Sequence, residues 1–173
     1  MKVEKLSEIK KELRALSPEN MIEICIKLAK YRKENKELLS YLLYDSENPL
    51  FYAENVKSEL LEEFYKLKKH GYAAAKELRK ILRILERSAK YTRSAEVEVV
   101  LLLWFCKNYL IYADLRTAYK PLQTIFLRQT DKIRKLIAKL HEDLQFDYSS
   151  EYNDLIEEAD GKVRWFDKRS FFL

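Results

Sequence analysis

His141-Glu142-Asp143, with Asp147 four residues past Asp143, is the cluster in this sequence that brings an imidazole and carboxylates together at short spacing. Such a set could hold a divalent metal or run acid/base chemistry. On a helix His141 and Glu142 point about 100° apart, and position 145, where a second ligand on the face of His141 would sit, carries Gln145. Glu158 or Asp160 could add a carboxylate through the fold, yet a solvated acidic helix end accounts for the same residues. No metal and no cofactor is expected. His70 falls at a helix end, where attraction to the helix dipole explains it without catalysis. Glycine occurs only at positions 71 and 161, so neither a phosphate loop nor a dinucleotide fingerprint can be written onto the chain.

Charge is laid out more informatively than catalytic residue types. The formal net charge is +5, but residues 71–94 hold seven bases against two acids, residues 121–140 five bases against Asp131, and residues 141–173 nine acids against four bases. At about 100° per residue, Lys76, Arg79, Lys80, Arg83, Arg87 and Lys90 share one helix face opposite Leu78, Leu82 and Leu85. Arg128, Lys132, Lys135 and Lys139 do the same on a later helix. An ordinary amphipathic helix also needs a charged outer face, but it intersperses signs so that neighbouring turns pair. A single-sign stripe forgoes that support and fits an anionic partner.

Three occupants compete for the stripes. The acidic segment from Glu142 to Asp160 could lie over them, an acidic protein could dock there, or a nucleic-acid backbone could bind. Tyr72, Tyr91 and Tyr119 stand at helix ends, where packing is expected rather than the stacking that single-strand binders use. The expectation is therefore a non-enzymatic cytoplasmic module that binds a protein partner, with nucleic acid as the alternative and cover by the acidic segment in the full chain.

The elements that position these residues are helical throughout. Leu, Glu, Lys, Ala and Arg dominate, and two glycines and three prolines are too few for the turns of an antiparallel sheet. The organising stretch is Glu96 to Tyr112, centred on Val99-Val100-Leu101-Leu102-Leu103-Trp104-Phe105-Cys106. A helix apolar on every face must be wrapped by its neighbours. Glu98 and Lys107 bracket that run, which is far short of the roughly 20 residues a membrane span needs; no membrane association is expected. The helix is read from Ser94 to Tyr119, with Leu102 and Trp104 buried.

Around it the spacing of apolar residues predicts a first helix with Ile9, Leu13 and Leu16 on one edge. A second is capped by Ser17 and Pro18 and carries Met21, Ile22, Ile24, Cys25, Leu28 and Ala29 inward, as part of a helical hairpin. After the break at Asp45-Ser46-Glu47-Asn48-Pro49 comes a helix with Leu50, Ala53, Val56, Leu60, Phe64 and Leu67 inward, stopped by Gly71. Then follow Tyr72–Tyr91 with Leu78, Ile81, Leu82, Leu85 and Ala89 inward, and Pro121–Leu144. A short helix covers Ser150–Ala159, ended by Gly161, and Trp165, Phe166, Phe171, Phe172 and Leu173 form an aromatic end that should dock.

The fold expected is all-α in one domain over residues 1–173: short helices up to residue 45, a long-helix core over 49–144, and an acidic helix with an aromatic tail over 145–173. Its arrangement is read as an irregular antiparallel stack, a HEAT-like right-handed α-α superhelix, with a four-helix bundle preceded by a helical hairpin as the alternative. The N-terminus, Met1-Lys2-Val3-Glu4-Lys5-Leu6-Ser7-Glu8, lacks the apolar core of a signal peptide. Cys25 and Cys106 read as buried free thiols, which suits the cytoplasm. The stretches Leu28-Ala29-Lys30-Tyr31-Arg32-Lys33-Glu34-Asn35-Lys36-Glu37-Leu38-Leu39-Ser40-Tyr41-Leu42-Leu43 and Leu140-His141-Glu142-Asp143-Leu144-Gln145-Phe146-Asp147-Tyr148 resemble a family of small helical bacterial proteins with no assigned function. That resemblance implies no activity and no site residues, and the oligomeric state is left open.

Overall fold

A computed structural model describes residues 3–173; Met1 and Lys2, which open the N-terminal stretch read above, lie outside the described residues. The protein is all-α, with eight α-helices and no strand among the described residues: α1 (Leu6–Ala15), α2 (Pro18–Tyr31), α3 (Lys33–Ser40), α4 (Pro49–Tyr65), α5 (Gly71–Thr92), α6 (Ala95–Tyr112), α7 (Lys120–Ile137) and α8 (Glu142–Lys162). They fall into two compact units, one ending at Ser46 and the other spanning Glu47–Leu173.

In the N-terminal unit the Ser17 hydroxyl accepts the Asn20 amide at 3.3 Å and Pro18 opens α2, as the cap residues require. The bend between α2 and α3 is a single extended residue, Arg32, with φ −145° and ψ 149°. Asn35 caps α2 from outside by donating its Nδ2 to the Leu28 carbonyl at 2.8 Å. A turn of π-helix, Tyr41–Asp45, then unwinds the chain. None of α1, α2 or α3 has a fully buried side chain; within this unit Tyr41 alone reaches that state among the described residues. The expected inner faces are thus only partly covered, and Cys25 is half-buried rather than buried.

The second unit is built around α6, which contacts α4, α5, α7 and α8. Leu101, Leu102, Leu103, Phe105, Cys106 and Tyr109 are all buried there, as an all-round apolar helix demands. Trp104 departs from expectation: it is only partly buried, with its ring edge-on to Phe64 at 5.4 Å between centroids. Its face of α6 meets the end of α4 rather than the centre of the core. The HEAT-like superhelix is not confirmed, since repeat stacks place helices against sequence neighbours and α6 here is enclosed by four.

Several boundaries differ from the sequence reading, each for a local reason. Helix α6 stops at Tyr112, because Asp114 forms a turn in which its Oδ1 accepts the Arg116 amide at 3.1 Å. Helix α7 stops at Ile137, where three-residue bonds from Lys139 to Leu136 and from Leu140 to Ile137 tighten the chain into a turn. Helix α8 starts at Glu142, eight residues before the expected Ser150, and runs through Gly161. Gly71 does adopt the left-handed conformation, at φ +63°, but it opens α5 instead of capping α4. The aromatic end docks in part: Phe166 is buried and stacks on Phe171 at 5.0 Å, and the Trp165 indole donates to the Leu115 carbonyl at 3.1 Å. Phe172 and Leu173 remain 41% and 47% exposed.

The Tyr109 hydroxyl donates to the Leu122 carbonyl at 3.1 Å in the buried core, tying α6 to the first turn of α7. Tyr109→Phe should therefore lower stability in urea by about 1 to 2 kcal/mol, since a buried carbonyl loses its donor while ring packing on Phe126 persists. An unchanged urea midpoint would show that this bond does not hold the start of α7.

Candidate anion-binding groove

Helix α5 is long enough to present both of its faces. Leu78, Ile81, Leu82, Leu85 and Ala89 are buried as the spacing predicts, which leaves Lys76, Arg79, Lys80, Arg83 and Lys90 exposed on the opposite side. Helix α7 packs beside it. Between them lies an open groove of about 790 Å³, walled by Tyr72, Lys76, Arg79, Leu82, Arg83 and Glu86 from α5 and by Lys120, Pro121, Thr124, Ile125, Arg128 and Gln129 from α7. By the rise of about 1.5 Å per residue, the α5 wall from Tyr72 to Glu86 is about 21 Å long.

The two expected stripes do not behave alike. Of the α5 set, Lys76, Arg79 and Arg83 line the groove. Lys80 turns toward α4, with Nζ 2.6 Å from Glu63, and this hydrogen bond and charge hold the Glu63 carboxyl below the usual carboxylate range. Arg87 is half-buried and has an interaction of its own. Lys90 is exposed beyond the groove.

The α7 stripe is broken, a correction to the reading of four aligned cations. Lys132 is drawn between Glu86 at 3.2 Å and Glu98 at 2.8 Å. Burial pulls its ammonium pKa down, and the two carboxylates outweigh that and leave it raised. Lys135 pairs with Asp131 at 2.6 Å, and Lys139 lies in the turn after α7 instead of on the helix. Arg128 is the member of that stripe that joins the groove.

Lys120 completes the set, giving five cations: Lys76, Arg79, Arg83, Lys120 and Arg128. Among the described residues no carboxylate lies within ion-pair distance of any of the five. Glu86, the acid in the groove wall, is occupied by Lys132. Clustering like charges without acids raises the local potential and favours an anion from solution.

The acidic helix does not supply that anion. Three carboxylates of α8 turn to other cations, Glu151 to Lys107 at 2.7 Å, Glu158 to Lys162 at 2.6 Å and Glu157 to Lys168 at 2.8 Å, and no α8 residue lines the groove. Lys107, Lys162 and Lys168 are not groove residues, so cover of the stripe by Glu142 to Asp160 is not the arrangement found.

Three lining residues escaped the sequence reading. Lys120 lies one residue before the expected helix start at Pro121, whereas α7 begins at Lys120 itself. Tyr72 was expected to pack, and is 68% exposed at the mouth of the groove. Tyr119 does pack against the core, which shows that helix-end position alone does not separate the two cases. Gln129 is 8% exposed, and its Oε1 is buried without a hydrogen-bond partner. Nothing in the pattern singled it out.

The histidines are arranged differently from expectation as well. His70 precedes α5 as its N-terminal cap residue, with Nδ1 3.3 Å from Asp114, so a carboxylate and not a helix C-terminus accounts for it. His141 is likewise the cap residue of α8, with Nδ1 3.5 Å from Asp143 and both side chains largely exposed. Among the described residues no three His, Cys, Asp or Glu side chains gather closely enough to hold a metal ion. Burial pushes the Cys106 thiol up, which leaves it a poor nucleophile.

The N-terminal unit carries a second feature, a shallow apolar groove of about 320 Å³ between α2 and α3 lined by Cys25, Leu28, Ala29, Asn35, Leu38, Leu39 and Leu42. No helix among the described residues is long and apolar enough to cross a membrane. Comparison with known proteins finds no matching family model, no similar curated protein and no similar solved structure. The resemblance carried by Leu28–Leu43 and Leu140–Tyr148 therefore has only those residues behind it.

Proposed function

We propose that this protein is a non-enzymatic binding module whose α5–α7 groove holds the phosphate backbone of a nucleic acid. The observation that carries the reading is the convergence of Lys76, Arg79, Arg83, Lys120 and Arg128 from two helices with no carboxylate paired to them. Two observations weigh against a protein partner as the first reading: Glu151, Glu157 and Glu158 of α8 pair with Lys107, Lys168 and Lys162 outside the groove, and Tyr72 is exposed beside the cations. A cytoplasmic setting suits the free thiols of Cys25 and Cys106.

Each phosphate neutralised by a lysine or arginine releases condensed counterion, so the logarithm of affinity falls linearly with the logarithm of salt concentration. With up to five contacts the slope should lie at roughly −3 to −4 for a single strand. Fluorescence anisotropy over a range of salt concentrations measures it. A slope near zero, or no binding at low salt, would remove the phosphate reading.

A protein partner is the second reading, and a separate observation favours it. Ile22 and Leu28 of α2, a helix without a fully buried side chain, and Leu42 and Leu43 of the π-helical turn after α3 are each more than half exposed. Exposed apolar surface of that kind marks protein interaction sites.

A further inference from the structure

The groove contains more than a backbone-binding site needs. A phosphate backbone asks for cations, and the five described supply them. It does not ask for an exposed tyrosine at one end or for a carboxamide whose buried oxygen lacks a donor. Tyr72 is 68% exposed at the first turn of α5, shares the groove wall with Lys76, and presents a ring that no partner ring covers among the described residues. Gln129 is nine-tenths buried in the same groove, with an oxygen that lacks a donor. A buried polar group without a partner destabilises the fold, so a Gln129 side chain that turns its carboxamide into the groove it lines gains from a ligand the bond its oxygen lacks.

These two features lie among cations and have complementary chemistry. An aromatic face stacks on any base, and a carboxamide pairs with the donor and acceptor edge of a base, its two ends exchanging by a half-turn of the amide. Of the two contacts, stacking requires a base lifted out of a helical stack. A duplex keeps its base faces stacked on one another, so none is open to the Tyr72 ring. The α5 wall of about 21 Å is long enough for a few nucleotides, within the site sizes of single-strand binders. We infer that the ligand of the groove is a single strand whose bases are engaged, one stacked on Tyr72 and another hydrogen-bonded by the Gln129 carboxamide, while the five cations hold the phosphates between them. This inference rests on the phosphate-binding reading and adds the bases to it.

The test compares, by anisotropy at fixed salt, a labelled single strand of about 12 nucleotides, its duplex and an abasic phosphodiester chain of equal length. The single strand should bind about tenfold or more tighter than the abasic chain, as stacking on one aromatic allows. Tyr72→Ala should remove most of that advantage and leave abasic binding unchanged, whereas Tyr72→Phe should keep it. Gln129→Leu should weaken single-strand binding several-fold while raising the urea midpoint, because it removes an unsatisfied polar group; a purely structural glutamine would lower the midpoint instead. Equal binding of all three ligands, unaffected by Tyr72→Ala, would overturn the inference and leave the phosphate reading standing. Failure of all three to bind would overturn both.

Discussion

Reversing three charges, Arg79→Glu, Arg83→Glu and Arg128→Glu together, is expected to abolish nucleic-acid binding without unfolding the protein. All three side chains are exposed and line one groove, and none is within ion-pair distance of a carboxylate among the described residues, so the fold loses no ion pair when they change, only the exposed bond from Arg83 Nε to the Arg79 carbonyl. Two unit charges 4 Å apart in bulk water interact by about 1 kcal/mol. Converting attraction to repulsion at three contacts therefore shifts binding by about 6 kcal/mol at low salt, or roughly four orders of magnitude. Reversing Lys10, Lys11 and Arg14 of α1 changes net charge by the same amount outside the groove and serves as the control. If both triple variants lost affinity equally, net charge rather than the groove would account for binding. If the groove variant bound as the parent does, the groove would not be the site. Circular dichroism and the urea midpoint of each variant establish that the helices persist.

Leu102→Ala should be among the most damaging single changes to stability. Leu102 is 1% exposed on the helix that four others enclose, and emptying such a site costs about 3 to 5 kcal/mol through lost transfer energy and a residual cavity. Total stability of a domain is about 5 to 15 kcal/mol, so a large part of it depends on this side chain. Trp104→Ala removes a larger group but should cost less than full burial would imply, because Trp104 keeps solvent contact and meets Phe64 edge-on at the border of the core. Urea titrations of the two variants decide the order. A Trp104→Ala variant less stable than Leu102→Ala would place the centre of the core toward the end of α4, and an unaltered Leu102→Ala midpoint would contradict the enclosure of α6.

Both expectations combine what sequence shows with what it cannot. That Arg79 and Arg83 lie opposite Leu78, Leu82 and Leu85 follows from helical period, and the structure keeps it. That Arg128 faces them across a groove, while Lys132 bonds to Glu86 and Glu98, depends on how α5, α6 and α7 pack. Leu102 and Trp104 are two residues apart in one apolar run, and an all-round apolar pattern cannot tell which face meets the core centre and which meets its edge.

What the sequence determined by itself is local. The absence of turn glycines made the chain helical, Ser17, Asn48 and Ser94 capped α2, α4 and α6 through bonds three residues ahead, and the spacing of apolar residues selected the inner face of α5. Tertiary structure decided what depends on distant partners. Lys80 meets Glu63 seventeen residues away, Lys132 meets Glu86 forty-six away and Glu151 meets Lys107 forty-four away. Those pairings separate the free cations from the neutralised ones. A long flexible side chain takes its partner from whichever helix packs alongside, and that neighbour is set by the burial of α6 rather than by any residue near it in the chain. The same reason puts Tyr72 in solvent and Tyr119 against the core, two tyrosines at helix ends that the linear pattern cannot distinguish.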